Sequence, residues 1–265
     1  MSESMKLDFK DKVVIITGAG GIMGSAMSKE FARNGAKVVG ADIAAEALEN
    51  LVKEVRGAGG DMIGVQADVG AKESASNLID QAVKKYGRID VLVNNAGVNI
   101  GGRKEIHEFA YEDWEKCINI DLNGVFYCSK PAVHQMIKGG GGSIVNIASI
   151  IGVTPAPLQS AFAAAKGGVV NLTRAMAAEL GKYNIRVNAI CPGSTEQKGS
   201  NAFKSSLKEN YESHLSFIPL GRIGTGEDIS ALTCFLASGE ASYITGAVHV
   251  IDGGWICHAP RNFRF

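Results

Sequence analysis

The sequence predicts an α/β fold in which one doubly wound parallel sheet of about seven strands carries helices on both faces. Two observations predict it. Short runs rich in β-branched residues alternate with longer segments of helical period from Val13 onward, the pattern of strand-helix-strand units whose strands are buried on both sides. No linker, low-complexity tract or internal repeat interrupts the series, so residues 1–265 are read as a single domain.

In order, the strands are expected at Val13 to Thr17, Lys37 to Ala41, Met62 to Gln66, Asp90 to Val93, Ser143 to Ala148, Ile185 to Ile190 and Ala247 to Ile251. Helices fit between them. Met23 to Arg33 closes on Asn34-Gly35, a good stop because a left-handed residue costs little at a helix C-terminus. The run Gly139 to Gly142 falls where a long helix turns back into a strand and reads as a flexible connection. Two segments are less regular. The excursion from Gly193 to Leu220 follows the sixth strand, over the carboxyl edge where open parallel sheets bind ligands, and is read as a substrate lid. The tail at residues 255–265, WICHAPRNFRF, has no clear period and either packs on a neighbouring subunit or frays.

Composition excludes several function classes. Lys plus Arg and Asp plus Glu are both 27, which leaves no electrostatic footprint for nucleic acid or an acidic membrane surface. The N-terminus is polar and mixed in charge, and no apolar run approaches the ~20 residues of a membrane helix. A cytoplasmic location is expected. The five cysteines are widely spaced without a CxxC pair, so neither a disulfide framework nor a zinc site is suggested. The five histidines show no ligand spacing such as HExxH, and no metal is expected.

The chemistry begins directly after the first strand with TGAGGIMG, Thr17 to Gly24, which opens a helix. Glycines at such a turn let backbone approach a pyrophosphate, and the helix N-terminus attracts its charge; Gly18, Gly20, Ile22, Met23 and Gly24 are the candidate contacts. Asp42 stands at the end of the second strand, 24 residues after Gly18. A carboxylate there can accept hydrogen bonds from the adenosine ribose and repel a 2′-phosphate, so NAD is expected over NADP.

These residues, with Asp68-Val69, NNAG at Asn94 to Gly97, Ser149, Lys166 and Pro192-Gly193, resemble the short-chain dehydrogenase/reductase family in order and spacing from Val13 to Gly254. The resemblance implies a Rossmann-type domain that binds NAD(H) or NADP(H), usually as a homotetramer. It implies that Asp68 and Val69 flank the adenine, that Asn95 and Gly97 belong to the cofactor ribose region, that Lys166 holds the nicotinamide ribose, and that Pro192, Gly193 and Thr195 border the nicotinamide. Helices spanning about Tyr111 to Lys138 and Ser160 to Gly181 would pack on symmetry mates, although Val125, Phe126, Val169 and Leu172 could equally face the chain's own sheet.

The chain departs from the family at several positions. Ile22 stands where the usual turn TGxxxGxG has its second glycine. Asp121, in NIDLNG, falls where members commonly have an asparagine that holds a water chain to the lysine; either the carboxylate serves there, or Asn119 or Asn123 compensates. Gln197 replaces the usual threonine four residues after the PG glycine.

The largest departure is at the catalytic tyrosine. In the family a serine orients the substrate oxygen and a tyrosine thirteen residues later, four before the lysine, passes the proton. Thirteen residues after Ser149 is Phe162, in AFAAAK. Hydride transfer at a carbinol carbon requires removal of the hydroxyl proton, and a phenol beside the Lys166 ammonium suits that task, whereas phenylalanine has no proton to exchange. Three explanations stand: a Tyr to Phe replacement that keeps packing and removes one oxygen, a natural non-catalytic relative that binds a dinucleotide, or proton supply by another group such as Tyr127 or Tyr243. The survival of Ser149, Lys166 and Asp42 favours the first.

The implied activity is interconversion of a secondary alcohol and a ketone. Around the expected pocket lie Asn99, Arg103, Ile151, Pro157, Gln159 and the lid charges Glu196, Lys198 and Lys204. Polar groups with cations point to a small hydroxylated substrate, such as a sugar, polyol or sugar acid; solvated surface charge is the competing reading for Arg103 and the lysines.

Overall fold

A computed structural model describes residues 7–100, 102–196 and 215–257. Its strands are β1 Val13–Thr17, β2 Lys37–Asp42, β3 Asp61–Gln66, β4 Val91–Asn94, β5 Gly142–Ile147, β6 Ile185–Pro192 and β7 Val248–Ile251. All pair in parallel, in the order β3-β2-β1-β4-β5-β6-β7. The direction of winding reverses between β1 and β4, which opens a crevice at their carboxyl ends. The helices are α1 Ile22–Arg33, α2 Ala45–Gly57, α3 Lys72–Tyr86, α4 Tyr111–Ile118, α5 Gly124–Lys138, α6 Ser160–Leu180 and α7 Gly226–Ala237.

The alternation of side chains along β1 explains the two layers. Val14 and Ile16 pack with Met27, Phe31, Leu48, Leu51, Ile229 and Leu236, which belong to α1, α2 and α7. Val13 and Ile15 point the other way, onto Leu78, Ile79, Cys128, Met136 and Met176 of α3, α5 and α6. Burial of each such aliphatic side chain is worth ~1.5–3 kcal/mol, and a strand covered on both faces needs no polar side. This is why β1 reads as an unbroken apolar run.

The strand ends differ from expectation by a residue or two, with identifiable causes. Asn94 reads as a turn residue but closes β4, because its amide donates to Asn146 Oδ1 at 2.8 Å and Ser129 Oγ at 3.0 Å inside the sheet-helix layer. Asn146 in turn donates to Thr173 Oγ1 at 2.9 Å. β6 runs on to Pro192 because β7 pairs with it in register Pro192↔Ile251; a proline at a strand terminus sacrifices little of the ladder.

Helix α1 stops as expected, with the left-handed position taken by Gly35 at φ +88°. A five-residue π turn, Asn119–Asn123, joins α4 to α5 within the expected Tyr111 to Lys138 span. Such turns insert a residue and commonly mark functional sites. Val125 and Val169 lie in the chain's own core with Ala148 and Cys191, Leu172 is partly buried, and Phe126 is about half exposed.

Of the segment Gly193 to Leu220, expected to be a lid, residues 193–196 and 215–220 are among those described. Thr195 bridges Gly224 in parallel, and the Leu220 N–H donates to Gly253 O at 3.1 Å. Gln197, Lys198 and Lys204 lie outside the described residues, as does the tail beyond the short 3₁₀ turn Trp255–Cys257. Among the described residues no helix is long and apolar enough to cross a membrane.

Candidate active site

The residues singled out for the nucleotide end of the site gather along the carboxyl edge of the sheet, because they close or follow β1, β2, β3 and β4. A cleft of about 350 Å³ is lined by Gly18, Ile22, Met23, Gly24, Asp42, Asp68, Val69, Asn95 and Gly97, together with Ile43, Ala67, Val98 and Ile120. The last four were not singled out from the sequence; they are apolar neighbours of the motif residues, without a chemical signature of their own.

The glycine turn is built for close approach. Gly18 takes φ +63°. A Cβ at Gly24 would stand 2.2 Å from Gly18 O and 2.7 Å from Ala19 Cα, so no larger residue fits without moving the loop. Gly21, the N-cap of α1, brings no side-chain cap, and the first-turn N–H groups with the positive helix end suit an anion. Ile22 departs from the family glycine at little cost. It takes ordinary right-handed backbone at the first position of α1, and its Cγ2 lies against Gly226, the first residue of α7. Gly20 faces Asp42: its N–H donates to Asp42 Oδ2 at 2.8 Å, while the Ala44 N–H donates to Oδ1 at 2.9 Å.

Beyond β1, Thr17 Oγ1 accepts the N–H groups of Asn95 and Ala96, each at 3.0 Å. The Asn95 amide donates to the carbonyls of Thr17 at 2.9 Å and Gly18 at 3.1 Å, tying the NNAG turn to the glycine turn. Its Oδ1 is buried without a partner among the described residues. Asp68 Oδ1 accepts the Gly70 N–H at 2.8 Å, and Asn119 donates to Gly70 O at 2.8 Å.

The second half of the site is organised by α6. Phe162 and Lys166 are one turn apart and so share a face; the Lys166 ammonium lies 5.6 Å from the Phe162 ring centre. Lys166 is buried and donates to Ile147 O at 3.3 Å. Its main partner is Asp121 Oδ1 at 2.9 Å, a carboxylate with no solvent exposure. The same carboxylate accepts the Val98 N–H at 3.1 and 3.2 Å. Cys117 Sγ sits 3.7 Å from Asp121 Oδ2, and burial, then the Asp121 charge, push this thiol up to about 12, so it faces the carboxylate as a neutral weak donor. Gly97 accommodates the pair: a Cβ there would fall 2.5 Å from Asp121 Oδ1 and 3.0 Å from Lys166 Nζ.

Of the alternatives at the family asparagine position, the carboxylate itself meets the lysine. Asn119 is committed to Gly70, and Asn123 donates to Asn119 Oδ1 at 3.3 Å. Sequence alone does not reveal this arrangement, because the π turn that brings Asp121 to Lys166 has no hydrophobic period of its own.

Ser149 follows β5 in extended backbone, and its Oγ accepts the Ile151 N–H at 3.2 Å. Gly193 is pressed on Asp252, and Thr195 Oγ1 stands 3.9 Å from Met23 Sδ, which ties the segment after β6 to the start of α1. Asn99 donates to Gln159 Oε1 at 3.4 Å, and the Lys104 N–H donates to Leu158 O at 3.3 Å. Arg103 is exposed and forms no ion pair among the described residues. Neither alternative phenol joins this group. Tyr127 lines a groove with Lys72 and His134 between α3 and α5, and Tyr243 is fully exposed.

Fold, glycine turn and the Ser149, Phe162, Lys166 spacing together define one class of protein, and comparison with known proteins agrees. The sequence profile described as enoyl-(acyl carrier protein) reductase, adh_short_C2, matches residues 18–256. The chain belongs to the short-chain dehydrogenase/reductase family, whose members bind a nicotinamide dinucleotide. It is 42% identical over 245 residues to the 3-oxoacyl-[acyl-carrier-protein] reductase FabG of Thermotoga maritima, covering 92% of this chain and 98% of the relative. It is 38% identical over 246 residues to the meso-2,3-butanediol dehydrogenase of Serratia marcescens, covering 93% and 95%. The crystal structure of levodione reductase superposes with a TM-score of 0.88 at 35% identity, covering 95% of this chain and all of that one (100%). These relatives are oxidoreductases.

Proposed function

We propose that this chain is an NAD-dependent oxidoreductase that interconverts a secondary alcohol and a ketone, with its proton step impaired by Phe162. The observation that carries the reading is the place of Gly97, which lines the glycine-turn cleft and lies against the Lys166 ammonium, one turn of α6 from Phe162. Its fit to a dinucleotide rests on the cradle that a Cβ at Gly24 would fill and on the orphaned Asn95 Oδ1.

The first-turn N–H groups from Ile22 to Gly24 hold the pyrophosphate, and Asp42 accepts from the adenosine ribose hydroxyls. Asp68 and Val69 border the adenine. Asn95 and Gly97 shape the ribose region, Lys166 reaches the nicotinamide ribose, and Pro192, Gly193 and Thr195 flank the nicotinamide. NAD, when bound, supplies or accepts the hydride at nicotinamide C4. Ser149 donates a hydrogen bond to the substrate oxygen and orients it. The proton of that oxygen has no side-chain acceptor at position 162, and loss of a positioned acid or base costs ~10²- to 10⁴-fold in rate. The polar pair Asn99 and Gln159, with Arg103 nearby in sequence, favours a small hydroxylated substrate such as a sugar, polyol or sugar acid. A homotetramer is proposed from family membership, with half-exposed Phe126 on α5 available to a partner copy.

A second reading, a dinucleotide-binding regulatory or scaffolding protein without turnover, is favoured by the missing phenol. The two separate when the phenol is restored. Phe162→Tyr, assayed with NAD(H) against a panel of sugars, polyols, sugar acids and ketones, is expected to gain ~10²-fold or more in rate over the parent chain. If neither it nor the same variant with Asp121→Asn, the residue family members commonly have there, gains on any substrate, the enzyme reading fails.

A further inference from the structure

With phenylalanine at position 162, the Lys166 ammonium has no phenol to act on, and the structure shows where its charge is directed. The ammonium lies 2.9 Å from Asp121 Oδ1 and 5.6 Å from the Phe162 ring centre. Away from water this attraction is only weakly screened. Three features hold the carboxylate in place: the Val98 N–H at 3.1 Å, the π turn that carries it inward, and the missing side chain at Gly97. An amide at 121 could accept the same Val98 N–H without bringing a charge. The carboxylate therefore does something the amide would not, which is to neutralise the lysine.

We propose that Asp121 is a positioning residue that holds Lys166 in a closed ion pair and opposes its charge at position 162, so that a hydroxyl placed on that ring is not acidified until Asp121 is neutralised. The titratable and charged groups around the position support this balance. Lys166 comes from the same helix, Asp121 from the π turn, Cys117 from α4 and Cys191 from β6. Burial pushes the Cys117 thiol up to about 12 and the Cys191 thiol up to about 11, so both stay neutral and the balance is between one cation and one anion. An opposite charge favours phenolate and a like charge disfavours it; with both present at hydrogen-bond distance from each other, their effects on a third group largely cancel.

The inference rests on position 162 being the proton-transfer position, but its test needs no turnover. In Phe162→Tyr, the added phenol is titrated by tyrosinate absorbance, with the parent chain subtracted to remove the 6 tyrosines common to both. The phenol is expected to titrate at or above the ordinary value of ~10. Adding Asp121→Asn, or Asp121→Ser where the amide variant does not fold, is expected to lower it by ~1 unit or more. Further addition of Lys166→Met should raise it again, identifying the lysine as the source. A phenol titrating below ~9 in the single variant overturns the proposal. So does a phenol whose pKa does not move when the Asp121 charge is removed. Failure of Phe162→Tyr to turn over any substrate even with Asp121→Asn added, with these shifts present, would count against the oxidoreductase reading and leave the ion-pair coupling standing.

Discussion

Asp42 accepts the N–H of Gly20 through Oδ2 at 2.8 Å, joining the end of β2 to the glycine turn that follows β1. The carboxylate thus fixes the loop and stands at the edge of the cleft at the same time. A Cβ at Gly20 would lie 3.0 Å from that oxygen, so a larger residue there would push the carboxylate by a few tenths of an ångström.

Asp42→Ala should therefore act twice. Orphaning a partly buried N–H costs ~1–3 kcal/mol, read as a lower urea midpoint. Removing the charge should also erase the preference for NADH over NADPH by about tenfold or more, the worth of one charge-assisted hydrogen bond. Unchanged selectivity in paired titrations would show that Asp42 serves the loop alone.

Gly24→Ala tests the cradle from the other side. The added methyl would be 2.2 Å from Gly18 O, and relief requires displacement of backbone rather than of a flexible side chain. Overpacking of this kind costs ~1–3 kcal/mol. NADH affinity should fall about tenfold or more if, as proposed, the displaced turn is the one that meets the pyrophosphate. A Gly24→Ala chain with parental stability and affinity would place the binding turn elsewhere.

Support for the turn extends to α7, whose first residue Gly226 lies against Ile22. Thr225 and Asp228 form a reciprocal capping box there, and Arg222 grips Asp228 at 2.6 and 2.9 Å. The Arg222 hydrogen bond, then the Thr225 N–H, hold the Asp228 carboxyl well below the usual carboxylate range. A group depressed on folding stabilises the fold above its unfolded value and loses that contribution as pH falls towards the folded one. The advantage of the parent over Asp228→Asn should be complete above about pH 5 and shrink below about pH 4. Thr225→Ala should cost ~1 kcal/mol at pH 7. Denaturant titrations at neutral and acid pH check both, and a stability difference that grows on acidification would contradict the assignment.

Much of the fold was legible because its central strands are buried on both faces. Runs such as Val13 to Ile16 leave no ambiguity of period, and Asn34-Gly35 marks a helix end by its backbone alone. Ends were misplaced where a polar side chain does tertiary work: Asn94 reads as a turn, yet its amide belongs to the buried chain Asn94, Asn146, Thr173. In the candidate site, Asp42 was singled out from its spacing to the glycine turn, and Ser149, Phe162 and Lys166 from the spacing they share with the family; the roles given to them are proposals. The family resemblance linked Asp121 to Lys166 through a water chain; their direct ion pair was not legible, since the two are 45 positions apart and meet only through a π turn. Ile22 looked like damage to the glycine turn, but the turn needs glycine where backbone meets backbone, at Gly24, and not at the first position of the helix.

The central claim is that this chain keeps a working, NAD-selective dinucleotide site in front of a blocked proton step. Equilibrium titration of the unaltered chain with NADH, and with NADPH beside it, tests that most directly. The account predicts saturable NADH binding at least about tenfold tighter than NADPH. Absence of saturable binding, or equal affinity for the two, would contradict it.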